Sequence, residues 1–442
     1  MASDLLSIGA SGAKAARSAL DVTAQNIANA STEGYIRRTA VMEEVAVAGG
    51  LLRNADISLS GVRVGGINRN ADMFRQSEVR RTGSDLARST TELAGLKNIE
   101  SAIEKTGVYE AVVEFEAALH ELSSDPINPS LRAAALGAAE AVAGKFNIAS
   151  NALDAAGEGL RFDASAAVDD ANTIGQELAR VNLRLARAGD GSSDKATLLD
   201  QRDLLLERLS GVVDIKTSFA PDGVVTVTTG GQNFVTGGLS GTLASATAGD
   251  GTMSFSVDGA AITPAGGKLA GAALALNEMA DVRTRLDALA DGLATAINTA
   301  QGNGAALDGS AGQPIFGGSG AGALHVVMSD SAGLATAAAG SPAGSRDSSN
   351  LFAMRQALES GETAQGLSSL LFDVSSHIAG RTVTRDALSA IAGAARTELE
   401  QMSGVDLDTE AANLMRFQQA FQASGRAMQV ASDIFQTLMG IR

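Results

Sequence analysis

Cysteine is absent from all 442 residues, which excludes disulfides, thiolate nucleophiles and cysteine zinc sites. The absence has a plain reading, ordinary cysteine poverty in a cytosolic chain, and a sharper one, a chain that travels unfolded without forming crosslinks. Tryptophan is missing as well, and aromatic residues reach 3% against 45% hydrophobic residues overall. The interior must therefore be filled by Ala, Leu, Val and Ile, which suit close helix packing. Three histidines occur, His120, His325 and His377, far apart and without HExxH or other ligand spacing, so no metal site or cofactor is expected. None of the GxSxG, GxGxxG or GxxxxGK[ST] runs is present among the 50 glycines. The first residues lack a cationic region followed by an apolar one, so they do not read as a secretory signal. No apolar run approaches the ~20 residues that span a bilayer.

Basic residues are also scarce, 34 against 50 acidic ones, for a formal charge of −16. Such a chain is repelled by phosphate backbones and anionic lipid, so neither nucleic acid nor membrane insertion is expected. The basic cluster Arg75, Arg80, Arg81 and Arg88 is interleaved with acidic residues and reads as a solvated helix face. Paired carboxylates, Asp169 with Asp170 and Asp408 with Glu410, are what a glycosidase needs. Both pairs fall in helical sequence where acids complement a helix dipole, and no catalytic residue is assigned.

Hydrophobic periodicity organises the rest. Leu6, Ala10, Ala13, Ala16, Leu20, Ala24 and Ile27 recur in steps of three and four and predict one helix, with Gly34 as a stop. Residues 35–75 read as strands and turns, and helix resumes around Ser84. From there to Leu209 the pattern is helical, interrupted at the Asp125-Pro126 corner and at 189–194. Alternation at Ile215, Thr217 and Phe219, at Val225 and Val227, and at Met253, Phe255 and Val257, punctuated by Asp-Gly turns, predicts a small β module. Helix returns at Met279–Ile297 and again from Leu351. Residues 302–349, rich in Gly, Ala and Ser, read as an irregular arm against the β module.

The expected fold is mainly α with a small β domain, a nested rod-like architecture built from both ends of the chain. Residues 1–60 with 405–442 form a terminal coiled coil and assembly region. Residues 61–213 with 269–301 and 350–404 form a long helical bundle. Residues 214–268 with 302–349 form an outer, inserted β-rich domain.

The last forty residues carry the strongest signal. Leu407, Leu414, Phe421, Met428 and Phe435 recur every seven residues, and Phe417, Ser424, Ala431 and Leu438 form a second series three positions on. Such a seam needs a partner, since each large apolar side chain left in water forgoes about 1.5–3 kcal/mol. Either the two terminal helices close a monomeric bundle, or they order on assembly against neighbouring copies; periodicity does not choose.

The run Gln25 to Tyr35, QNIANASTEGY, resembles the NIANxxTxGY signature of the flagellar axial family of rod, hook and hook-associated proteins. Gly61, Val62, Arg63, Val64, Ile67, Arg69, Asp72 and Phe74 are similar to the GVxVxxIxRxxDxF segment of its hook-associated members, as are Leu198 to Asp203 (LLDQRD) and VDLDxExxNLxRFQQAF with a closing Ile441-Arg442. The chain departs from the pattern at Ser424, where the axial families usually have Asn, and in a small outer region. The resemblance implies a structural subunit of the hook–filament junction, secreted through the flagellar type III apparatus to the extracellular flagellum. Implied partners are further copies in a ring or helical assembly, the hook protein, a second junction protein or the filament side, and a cytoplasmic export chaperone on the C-terminal helix. The implied assembly residues are Leu6, Leu20, Asn26, Ile27, Asn29, Gly34 and Tyr35 near the N-terminus. At the other end they are Leu407, Leu414, Phe417, Phe421, Met428, Phe435 and Leu438. A distal rod or hook protein is the nearer alternative and a secreted hydrolase the distant one.

Overall fold

The computed structural model describes residues 2–47 and 58–440. The first helix, α1 (Ala2–Ala28), is followed by a twisted antiparallel ribbon of β1 (Arg38–Val47) and β2 (Ser58–Arg69), paired from Arg38 opposite Arg69 outward with two register shifts. The bundle consists of α2 (Met73–Glu104), α3 (Val108–Leu122), α4 (Pro129–Leu185) and α5 (Ser193–Val212). It is completed by α6 (Gly267–Gly302), α7 (Ser349–Ser360) and α8 (Thr363–Ser403), and α9 (Leu407–Gly440) closes the described chain.

The helix expected from Ser84 begins eleven residues earlier, at Met73. Asp72 caps it, its carboxylate accepting from the backbone N–H of Phe74 and Arg75, which satisfies donors that a helix start leaves open. Its first turns carry no apolar stripe because they bury polar side chains, Gln76 and Arg80 among them. At the other corner Asn128 caps α4 and Pro129 occupies its first turn. Because 57 residues then run unbroken, α4 extends about 85 Å at 1.5 Å per residue. Asp169 and Asp170 therefore sit deep in this helix, exposed to solvent, and not near a helix start as expected.

Two apolar cores lie along α4 and α6. The first gathers Phe115, Phe146, Leu286, Leu293, Leu351 and Leu370. The second gathers Leu178, Leu206, Leu209, Leu269 and Leu276 with Val225, Val227, Phe234 and Val257 of the β module. That module comprises a four-stranded antiparallel sheet, β3 (Lys216–Phe219), β4 (Val225–Thr229), β5 (Gln232–Thr236) and β6 (Leu239–Ser240). Beside it lies a three-stranded one, β7 (Leu243–Thr247), β8 (Met253–Val257) and β9 (Ala260–Ile262).

The arm of residues 302–349 does not pack on the β module. Its apolar residues Ile315, Phe316, Leu324, Met328 and Leu334 belong to the first core, where Phe316 meets Phe115 edge to face at 5.9 Å between ring centroids. Arg132 on α4 holds the arm in place. Its guanidinium, 1% exposed, donates to the carbonyls of Pro126 at 2.6 Å and Leu334 at 2.9 Å and to the Thr336 hydroxyl at 3.0 Å. A side chain bonding to backbone oxygens scattered over two hundred residues leaves no hydrophobic period to read, which is why the arm's position was not legible.

Candidate functional site: the terminal helix pair and its polar joint

α1 and α9 pack along one another. The face of α1 that is buried carries Gly9, Ala13, Ala16, Ala19, Val22, Thr23 and Asn26, so the seam is made of small residues. A Cβ at Gly9 would come within 2.7 Å of Met428, and one at Gly12 within 2.8 Å of the Ser424 hydroxyl. The two backbones therefore approach closely only because glycine stands at both positions. Ser424, the departure from the family pattern, lies at this contact, where a short side chain fits.

The expected assembly residues divide into two sets. Asn26 is buried, and Leu20, Asn29, Tyr35, Leu414, Phe417 and Met428 are half-buried. By contrast Leu6, Ile27, Gly34, Leu407, Phe421 and Phe435 are exposed, Phe421 by 43% and Phe435 by 51%. Asn29 turns back to its own helix, donating to the Gln25 carbonyl at 2.9 Å. Gly34, expected as the stop of the first helix, lies six residues past the end of α1 and holds φ at +76°, the left-handed conformation of the turn that leads the chain into the ribbon. Leu438 is part of α9, but its side chain lies outside the described residues, as do Ile441 and Arg442.

At the base of this pair the four runs that carry the family resemblance come together. Asn26 is the first member: its Oδ1 accepts from the Tyr35 hydroxyl at 2.9 Å and the Arg38 N–H at 3.0 Å, and its Nδ2 donates to the Arg38 carbonyl at 2.9 Å. From the C-terminal run, Glu410 accepts from Asn26 Nδ2 at 3.2 Å and from Arg37 Nε at 2.7 Å. Next, the Arg38 guanidinium reaches α5, donating to Ser193 and Thr197 at 3.1 Å each and to Asp200 at 2.8 Å. Arg69, from the ribbon's end, bridges Asp200 and Asp203 with two bonds of 2.6 Å. Asp203 also accepts from Gln76 at 2.9 Å and from Arg202 at 2.9 and 2.7 Å.

Most of these groups are buried, so the bonds are charge-assisted and shielded from water, the regime in which guanidinium and carboxylate bind most strongly. Burial works to raise the Asp203 carboxyl, but Arg69 and Arg202 outweigh it and hold it below the ordinary value of 3.8. At Asp200 burial prevails over Arg69 and Arg38 and the carboxyl is raised. Burial likewise raises the Tyr35 phenol and lowers the Arg80 guanidinium.

Two expectations need correcting here. Arg80 is buried among these groups and not on a solvated face, although exposed Arg81 and half-buried Arg75 and Arg88 do form the ion pairs expected of such a face. Glu410 occupies the first turn of α9 as expected, yet its side chain is turned inward onto Arg37 and Asn26 instead of standing free at the helix end. Arg37, Arg38, Arg69, Asp200 and Asp203 were missed as site residues. One signal was available: Asp200 and Asp203 are three apart on a helix and so share a face. Among the described residues no group of His, Cys, Asp or Glu could hold a metal ion. No helix among them is long and apolar enough to cross a membrane.

The two chain ends that build the terminal helix pair and its joint match families of the axial proteins of the bacterial flagellum. Residues 6–35 match the family described as flagella basal body rod protein, and residues 399–441 the C-terminal family of the flagellar basal body rod FlgEFG proteins. Residues 93–316, half of the chain, match the helical domain of flagellar hook-associated protein FlgK, and the chain belongs to that family.

Among its relatives, flagellar hook-associated protein 1 of Bacillus subtilis is 25% identical over 95% of this chain and 94% of that protein. The Escherichia coli protein of the same name is 27% identical over 55% of this chain, and that match spans 45% of the longer relative. The solved flagellar hook junction protein FlgK from Burkholderia pseudomallei shares the fold over 54% of this chain and 46% of that one, with a TM-score of 0.50 and 21% identity.

Proposed function

We propose that this chain is a structural subunit joining hook to filament in the bacterial flagellum, polymerising through the outward faces of α1 and α9. The observation that carries the reading is the apolar surface those faces leave uncovered. Leu5, Leu6, Ile8 and Ile27 on α1 and Leu407, Met415, Phe421, Val430, Ile434 and Phe435 on α9 are all exposed. Scattered single exposed apolar residues are normal, but this many along one paired element form a surface that association buries. Neighbouring copies supply the cover, in a ring or helical array between the hook protein and a second junction protein or the filament.

Export through the flagellar type III apparatus accords with a chain without cysteine, and a cytoplasmic chaperone covers the α9 stripe beforehand. The protein performs no catalysis, and nucleic acid and membrane insertion play no part. Two findings weigh against a hydrolase: Asp169 and Asp170 project into solvent, and Glu410 is consumed by Arg37 and Asn26. The family is one of flagellar structural proteins.

Deleting the gene is expected to leave cells with hooks but no filaments, as seen by electron microscopy, with restoration by the intact chain. Normal filaments in the deletion strain would overturn the assignment.

A further inference from the structure

A seam of small residues brings two helices close but discriminates poorly between neighbouring registers, because an Ala or Gly face offers few knobs to lock. Register in paired helices is commonly fixed by a buried polar contact. Here one such contact lies at the base of the pair. Glu410, on the first turn of α9, presents its carboxylate with 2% of the side chain exposed to a donor pair already held in place.

One donor is Asn26 Nδ2 of α1, whose amide is fixed by Tyr35 and by the Arg38 backbone. The other is Arg37 Nε, whose own backbone N–H donates to the Ser403 carbonyl at the end of α8 at 3.0 Å. The neighbouring Arg38 extends the same chain of contacts to Asp200 on α5. Between α8 and α9 stand three residues, 404–406, a connection that by itself allows many directions.

We infer that Glu410 is a positioning residue that sets both the register of α9 against α1 and the direction in which the helix pair leaves the bundle. The carboxylate spans the three-residue connection and ties α9 to α1 and to the start of the ribbon at once. Removing it leaves the small-residue seam intact but free to slide and swing. The inference concerns the single chain and does not rest on the assembly reading.

The absence of native cysteine makes the test direct. Spin labels at Ala390→Cys on α8 and Gln422→Cys on α9, both exposed positions, report direction, and labels at Lys14→Cys and Gln422→Cys report register, by pulsed dipolar spectroscopy on the full-length protein. Glu410→Ala is expected to broaden both distance distributions at unchanged helical content. Glu410→Gln, which keeps an acceptor for Asn26 but loses the charge facing Arg37, is expected to fall between the two.

Arg37→Gln removes the more exposed partner and is expected to broaden the Ala390–Gln422 distribution. That variant decides the matter should Glu410→Ala lose helix. Distributions as narrow and as centred as the parent's in Glu410→Ala, or in Arg37→Gln where Glu410→Ala is not helical, would overturn the assignment. Broadened distributions with normal junction assembly in cells would support it while counting against a role for the fixed geometry in assembly.

Discussion

Phe421→Asp combined with Phe435→Asp is expected to abolish copy-to-copy association while leaving the single chain folded. Both rings stand about half exposed on α9 and belong to neither apolar core, so the change in stability should be small, about 1 kcal/mol. In an assembled junction each ring, already about half covered, would contribute roughly half of the about 1.5–3 kcal/mol of full burial, and a carboxylate in its place must be desolvated without a partner, which adds to the loss. The double variant should unfold in urea near the parental midpoint yet fail to restore filaments to a deletion strain. Leu414→Asp gives a different result, because Leu414 is half-buried. It should loosen α9 from α1 within the chain as well as prevent assembly. A normal junction formed by the Phe421, Phe435 variant would remove the outward face from the account.

The second large effect is expected at Asp203→Ala. Three side chains, Arg69, Arg202 and Gln76, lose an acceptor together, and two of them are buried guanidiniums. Removing one partner of a buried ion pair costs about 3–5 kcal/mol, because the charge left behind stays desolvated. The urea midpoint read by far-ultraviolet circular dichroism should fall accordingly. The same carboxylate gives an acid limit. Its folded pKa lies below 3.8, so its contribution is fully present above that pH and disappears as pH falls through the lower folded value. A destabilisation under 1 kcal/mol would show that the joint is not held by Asp203.

The heptads from Leu407 to Phe435 and the clean stripe from Met279 to Ile297 made α9 and α6 legible, since large apolar residues at steps of three and four mark a helix whatever its partner. Which face of a helix is buried was harder to read. Of the stripe expected in α1, Ala13 and Ala16 are buried, but Leu6, Ala10, Ala24 and Ile27 are exposed and Gly9, Ala19 and Val22 are buried in their stead, because a close seam selects small side chains that carry little hydropathy. The start of α2 was hidden for a related reason. Gln76 and Arg80 look like surface residues in sequence and are buried only because Asp203, more than a hundred residues away, supplies polar company.

The joint itself was half legible. Family resemblance pointed to the runs containing Asn26, Arg69, Asp200 and Glu410, but nothing in a linear sequence says that four separated runs meet at one place. The arm of residues 302–349 offered one strand-like stretch, Leu324 to Met328, and its position depends on Arg132 reaching backbone carbonyls that have no sequence signature.

Amide hydrogen exchange, compared between the purified monomer and the assembled junction, tests the central claim most directly. The paired helices leave many large apolar side chains exposed, so a large further gain in protection is predicted for residues 5–28 and 407–437 on assembly, confined to those helices. Protection already complete in the monomer, or gained on the bundle helices instead, would contradict it.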